Sequence, residues 1–251
     1  MGLRRGPAIV SRGLLSAYDF ASVRSYPYQD SPGGTSPLLK DLVGDNDMTV
    51  EGAPTFFGNN SNSAVTSTAY MTFSPSGAQI TQYCICNPFP FPTSELTVEV
   101  CHRMVFQSSQ QGLISYATSN ANNEGLMFWN ASSWRWYGPD SNSISTNVTT
   151  DNGKFCQLVR TSIRSTGAEK CYVDGDQKFS GTMAAGTDFE TGGALVFAQE
   201  QDSVGGGFDS GQCFQGNLSL VRIYNRALSA HEVKQNYLAT AYRFFNLRDT
   251  I

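Results

Sequence analysis

Short stretches that alternate apolar and polar residues, cut at near-regular intervals by polar turns, constrain this chain more than any other feature. Glu95-Leu96-Thr97-Val98-Glu99-Val100-Cys101 sends Leu96, Val98 and Val100 to one face of an extended strand, and Glu95, Thr97, Glu99 and Cys101 to the other. Similar runs are Gly112 to Tyr116, Gly125 to Trp129, Phe155 to Val159, Lys170 to Val173, Ala194 to Ala198 and Leu218 to Ile223. Turn-forming clusters separate them at Asn120-Ala121-Asn122-Asn123, Gly138-Pro139-Asp140-Ser141 and Asp174-Gly175-Asp176. This spacing predicts an all-β, two-sheet antiparallel sandwich. One segment departs from it. Ser229-Ala230-His231-Glu232 is a capping box, followed by apolar positions at Val233, Tyr237 and Tyr242, and predicts a single short C-terminal helix.

The leading ninety residues are richer in Pro, Gly, Ser and Asn, with candidate strands at Gly13 to Phe20 and Val65 to Phe73. Pro88-Phe89-Pro90-Phe91-Pro92 reads as an extended connector into the strand at Leu96. Sandwiches take strands from both ends of a chain, so residues 13–245 are expected to form one domain. Residues 1–12 are then an N-terminal arm and 246–251 a tail.

Composition excludes several functions. Charged residues make up 15% of the 251, well below the ~25% of an average soluble domain, which rules out coiled coils. A 12% aromatic content with a net charge of only −4 argues against disorder and against a nucleic-acid partner. No stretch reaches the ~18 apolar residues of a membrane helix. The opening Met-Gly-Leu-Arg-Arg-Gly-Pro-Ala-Ile-Val has no apolar core behind its arginines, so the chain is expected to be made in a cytoplasm without an export signal. Its two histidines, His102 and His231, supply little acid–base or zinc chemistry. The cysteines, Cys84, Cys86, Cys101, Cys156, Cys171 and Cys213, lack zinc-ribbon spacing and read first as small buried hydrophobes.

The run with chemistry is Glu200-Gln201-Asp202-Ser203-Val204-Gly205-Gly206-Gly207-Phe208-Asp209-Ser210-Gly211-Gln212. Two carboxylates, a glycine-rich reversal, then a third carboxylate and an amide offer the hard oxygen ligands that Ca²⁺ takes. A hydrated acidic loop has the same composition, and the residues alone leave both readings open.

The stretch from Leu195 to Asp209 resembles the calcium loop of the pentraxins. Agreement continues in order through Ser115-Tyr116-Ala117-Thr118, Asn122-Asn123-Glu124, Phe128-Trp129, Tyr172-Val173-Asp174-Gly175 and Leu228-Ser229-x-x-Glu232. The resemblance implies a jelly roll of the laminin-G/concanavalin A type. In it Glu200, Asp202, Asp209 and Gln212 are side-chain calcium ligands, Gln201 gives its backbone carbonyl, and Asn122 and Asn123 reach in from a neighbouring loop. The family usually has aspartate at the position of Asn122 and often glutamate at Asp209, so one calcium site is expected, with a second weak or absent. Phe128 falls at the family's choline-contacting phenylalanine, without an acidic choline partner. Cys101 and Cys156 fall where the family places an intersheet disulfide.

Pro7 to Val10, Gly13 to Phe20, Lys40 to Gly44, Gly52 to Phe56 and Arg222 to Ser229 are similar to laminin-G-like virion proteins of marine bacteriophages. That resemblance implies a non-enzymatic, homo-oligomeric virion surface protein: a capsid decoration or a tail or fibre subunit. Its arm would dock on other virion proteins, and its calcium face would bind a host surface glycan or a phosphate ligand. The alternatives are a purely structural virion subunit with a structural calcium, and a laminarinase-like glycoside hydrolase using Glu95 and Glu99. The latter lacks the central aspartate of that catalytic strand, and a solvated strand face explains these residues more simply.

Overall fold

The period-two runs pair into two antiparallel sheets stacked face to face. The computed structural model describes residues 7–27, 37–58, 69–74, 81–104, 110–150 and 153–243. With strands numbered along the chain, the first sheet runs β14 (Asp176–Thr182), β13 (Ala168–Val173), β12 (Phe155–Ile163), β7 (Glu95–Met104), β16 (Gly216–Tyr224), β5 (Tyr70–Phe73) and β4 (Thr55–Phe57). β1 (Leu14–Asp19) takes the same side of β16 as β5, beyond the stretch that β5 occupies. The second sheet runs β11 (Ser143–Ser145), β10 (Trp134–Tyr137), β9 (Gly125–Asn130), β8 (Gln110–Ala117), β15 (Ala194–Phe197), β6 (Tyr83–Cys86), β3 (Met48–Glu51) and β2 (Leu38–Leu39). Strands from the leading ninety residues therefore complete both sheets, as the composition shift alone does not reveal. The expected strand over residues 65–68 lies outside the described residues.

Leu96, Val98 and Val100 face inward as the alternation predicts, and pack with Trp129, Trp134, Trp136, Leu195, Phe197, Phe214 and Ile223 into one core between the sheets. The proline-rich connector contributes its aromatics: Phe91 stacks on Tyr116 with ring centroids 4.0 Å apart. At Asp174 and Gly175 both φ angles are positive, the turn geometry that suits a two-residue hairpin between β13 and β14.

The opposite face of β7 is not solvated. Helix α1 (Ala230–Thr240) lies over the first sheet, its Val233 packing with Val10, Val159, Tyr172, Tyr224 and Leu228. Its capping box is formed on both sides, Ser229 Oγ accepting from the Glu232 amide and Glu232 accepting from the Ser229 amide. The face it buries differs from the expected one. Val233, Asn236 and Thr240 are buried, whereas Tyr242 is 55% exposed. Burying Asn236 is possible because Glu99 waits below it. The Glu99 carboxylate accepts from Asn236 Nδ2, Arg222 Nη1 and Gln157 Nε2, each at 2.8 Å.

The same asparagine accepts from the Val10 amide at 2.8 Å, Tyr224 donates to the Val10 carbonyl at 3.1 Å, and Gln235 donates to the Ala8 carbonyl at 2.7 Å. The expected arm over residues 1–12 is thus part of the domain from Ala8 onward. Residues 1–6 of that arm and the tail at 246–251 lie outside the described residues.

The expected intersheet disulfide is not formed. Cys101 and Cys156 are buried thiols on adjacent strands of one sheet, and alternation places them on opposite faces. Gln157 stands opposite Cys101, and Cys156 stands opposite His102. Cys156 instead meets the His102 ring at 3.8 Å inside the core, where burial lowers the His102 pKa to about 3 and keeps the ring neutral. All six cysteines are buried, and no disulfide joins any of them.

An inward-facing ionic cluster closes one end of the sandwich. Glu169 on β13 accepts from Arg160 Nε at 3.0 Å and Ser162 Oγ at 2.7 Å, and pairs with Arg164 Nη2 at 3.2 Å. Arg160 also donates across the sandwich to the Tyr137 carbonyl on β10 at 2.6 Å. Removing one partner of such a buried set leaves charge uncompensated and costs about 3–5 kcal/mol, against about 1 kcal/mol for loss of a helix cap. Glu169→Ala is therefore expected to shift the denaturant midpoint several times further than Ser229→Ala, and equal shifts would show that the cluster contributes little to the fold.

Candidate functional site

The run from Glu200 to Gln212 leaves β15 and folds back across the outer face of the second sheet. Its anchor is a side chain. Gln201 is buried, and its Nε2 donates to the Ser115 carbonyl, Ser115 Oγ and the Ala194 carbonyl at 3.1–3.2 Å, while its Oε1 accepts from the Gly205 amide at 2.8 Å. One amide thus fixes the start of the loop to β8 and β15 and ties its tip back on itself. The tip reverses through paired backbone bonds between Ser203 and Gly206. Gly205 and Gly207 hold φ near +70°, and a Cβ on Gly207 would stand 2.9 Å from Asp202 Cβ, so the reversal requires glycine.

The loop closes by returning to β8, where the Gly112 amide donates to the Gln212 carbonyl at 2.8 Å. A Cβ on Gly112 would stand 2.6 Å from the Glu200 amide. Cys213 seals the base, its thiol reaching the Asp209 carbonyl at 3.5 Å.

Facing this loop is the turn that carries Asn122 and Asn123. It is held by Glu124, a buried carboxylate that accepts from the Glu190 amide at 2.6 Å and the Asp140 amide at 3.3 Å. Glu190 in turn accepts from Thr118 Oγ1 at 2.7 Å and Asn120 Nδ2 at 2.9 Å.

Between loop and turn lies a cleft of about 140 Å³. Of the sequence candidates, Glu200, Asp202, Gln212, Asn123 and Phe128 line it. Two oxygens here, Glu200 Oε2 and Asn123 Oδ1, are buried without a hydrogen-bond partner. Each is an acceptor that a bound water or a cation would satisfy. The Glu200 pKa is pushed up to about 7, first by burial and then by the charges of Asp202 and Asp209.

Other candidates are placed differently. Asn122 is exposed and does not line the cleft. Asp209 stays behind the wall, accepting from the Gly211 amide at 2.8 Å and facing Gln212 Nε2 at 3.5 Å. The three carboxylates are not gathered at one point. Among the described residues no three of His, Cys, Asp and Glu stand close enough together to hold a metal. A cation here would need Asn123 and Gln212 beside the carboxylates, and the unpartnered oxygens fit a hard, oxygen-ligated ion such as Ca²⁺.

The sequence reading missed Tyr137 and Gln110, which line the same cleft. Tyr137 packs edge-on against Phe128 at 6.0 Å. Alternation held the signal, since Trp134 and Trp136 point inward and so turn Tyr137 outward beside Phe128.

Fold and site together define a two-sheet jelly roll with an oxygen-lined loop on its outer face. The sequence profile of the Pentaxin family matches residues 75–247, and the chain belongs to that family. It is 30% identical over 122 residues to the Sushi, von Willebrand factor type A, EGF and pentraxin domain-containing protein 1 of Rattus norvegicus, covering 48% of this chain and 3% of that protein. Against the C-reactive protein of Mesocricetus auratus it is 28% identical over 121 residues, covering 48% of this chain and 54% of that protein. The chain thus spans about half the length of that relative and a small part of the larger one. A native heptameric SAP-like pentraxin from Limulus polyphemus superposes with a TM-score of 0.53 at 23% identity, over 61% of this chain and 73% of that one. The sialidase of Trypanosoma rangeli, in complex with sialic acid, shares the fold with a TM-score of 0.63 at 12% identity over 96% of this chain and 35% of that one.

The Glu200 environment sets a pH dependence. In metal-free protein, the unfolded chain loses this proton near the ordinary value of 4.5 and the folded chain near 7. The folded state binds the extra proton in between, so the contribution of Glu200 to stability falls as pH rises through that window and is constant outside it. With chelator present, denaturation at about pH 5 and about pH 8 should show this fall in the wild type and not in Glu200→Gln. An identical profile for the two proteins would show that Glu200 titrates normally.

Proposed function

We propose that this chain is a non-enzymatic binding module that holds one calcium ion between Glu200, Asp202, Gln212 and Asn123 and presents it to an anionic or hydroxyl-rich ligand. The observation that carries this reading is the pair of buried, unpartnered oxygens facing one cleft, Glu200 Oε2 and Asn123 Oδ1. Held there, the ion would supply a fixed positive charge for an anionic or hydroxyl-rich ligand. The chain's residues do the rest: Gln201 and Glu124 hold the two walls, and Phe128 with Tyr137 provides an aromatic flank for the ligand's apolar part. A second calcium has less support, because Asn122 and Asp209 do not line the cleft.

The hydrolase alternative loses its strand. Glu99 is buried under α1 with its carboxylate hydrogen-bonded, so it does not face an open groove, and the half-buried Glu95 accepts from the Ala227 amide at 3.0 Å. The solvated-face explanation of these residues fails for the same reason, since Thr97 and Glu99 are inaccessible. We place the module on a bacteriophage particle, as a capsid decoration or a tail or fibre subunit, on the strength of the leader motif from Gly13 to Phe20 and its resemblance to virion proteins. Peptides of this chain in purified particles would support that placement, and their absence would remove it.

Calcium bound only to the folded state stabilises it by about 2.7 kcal/mol at a hundredfold excess over Kd. Thermal unfolding with calcium and with chelator should therefore differ in the wild type, with a smaller difference in Asp202→Asn and in Asn123→Ala. Asn122→Ala should behave like the wild type. A midpoint unmoved by chelation would reduce the loop to a hydrated turn.

A further inference from the structure

The loop has a second flank. On the far side of β8 and β15 a cleft of about 420 Å³ is lined by Glu51, Gly52, Thr81, Tyr83 and Phe208. That volume lies in the range of small-ligand sites. Three strand steps separate β9 from β6, so the two clefts stand roughly 14 Å apart across the sheet. Glu51 and Tyr83 are direct cross-strand partners on β3 and β6 and point out of the second sheet. Phe208 descends from the loop onto Tyr83, with ring centroids 4.6 Å apart and planes at 56°. The two rings form a corner, and Glu51 supplies the third wall. Gly52, at φ +70°, lets the turn close on the Thr81 carbonyl, which a Cβ would strike at 2.1 Å.

The chemistry of these walls is specific. Among the described residues the Glu51 carboxylate has no ion-pair or hydrogen-bond partner, and no cationic side chain lines the cleft. Two aromatic rings and an unpaired carboxylate attract a cation that carries N–H donors on an apolar stem. The rings are tilted toward each other, so they offer no open flat platform for a sugar.

We infer that this cleft binds a primary alkylammonium group, its N–H donors on Glu51 and its alkyl stem between Tyr83 and Phe208, independently of calcium. A lysine side chain on a protein surface and a free alkylamine share that chemistry. The test is calorimetric titration of the full chain, in chelator, with n-hexylamine, the uncharged 1-hexanol, and a short peptide bearing one lysine.

Saturable binding of hexylamine without binding of hexanol is expected. Glu51→Gln should weaken it about fivefold to tenfold, and Phe208→Leu, which keeps the wall but removes the ring, should weaken it similarly. Peptide binding that responds to Glu51→Gln would assign the site to protein lysines, and binding of hexylamine alone would assign it to small amines. Equal affinity for hexanol, an unchanged affinity in Glu51→Gln, or binding that appears only with calcium would overturn the inference. Unchanged thermal midpoints in the two variants confirm that lost binding is not lost folding.

Discussion

Three donors converge on the Glu99 carboxylate, and the outer face of the first sheet is organised around it. A carboxylate taken out of water destabilises a fold unless its lone pairs are occupied. Here Arg222, Gln157 and Asn236 occupy them, and each belongs to a different element: β16, β12 and α1. Asn236 then uses its oxygen to hold the Val10 amide. One acid on β7 is therefore joined to the helix, and through Asn236 to Val10.

The second sheet solves a different problem on its outer face. A loop laid across a sheet carries backbone groups that must find partners. The Gln201 amide satisfies the Gly205 N–H and ties the loop to the Ser115 and Ala194 carbonyls of the sheet, and paired bonds between Ser203 and Gly206 satisfy two more loop groups. The loop can then leave Glu200 Oε2 unpartnered without losing its shape. Rigidity is supplied by an uncharged residue, and the charged ones remain available to a cation.

Strands and the helix were legible because period and capping are local. Leu96, Val98 and Val100 declared their face, and Ser229 with Glu232 declared a helix start. The acidic loop was legible too, since its glycines and carboxylates are contiguous. What failed depended on tertiary neighbours. Alternation separates Glu99 from the core but does not say whether water or a helix covers it, and here Asn236 does. Arg160, Ser162 and Glu169 face inward at positions that a hydrophobic pattern assigns to apolar residues, because they meet one another at the sandwich end. Cys101 and Cys156 could be judged only once β7 and β12 were known to be neighbours in one sheet, with Gln157 opposite Cys101. Asn122 and Asn123 are adjacent in sequence, yet only Asn123 lines the cleft, a choice set by the anchorage of Glu124.

The placement of Ala8 to Val10 against α1 has a geometric consequence. Both the first described segment and helix α1 lie on the outer face of the first sheet, whereas the loop from Glu200 to Gln212 lies on the outer face of the second. Two sheets packed about 10 Å apart separate them. A tether joined near residue 7 or near residue 243 would leave the molecule from its back. An array of such tethered copies would turn every loop, with the cleft on each of its flanks, toward the surrounding medium.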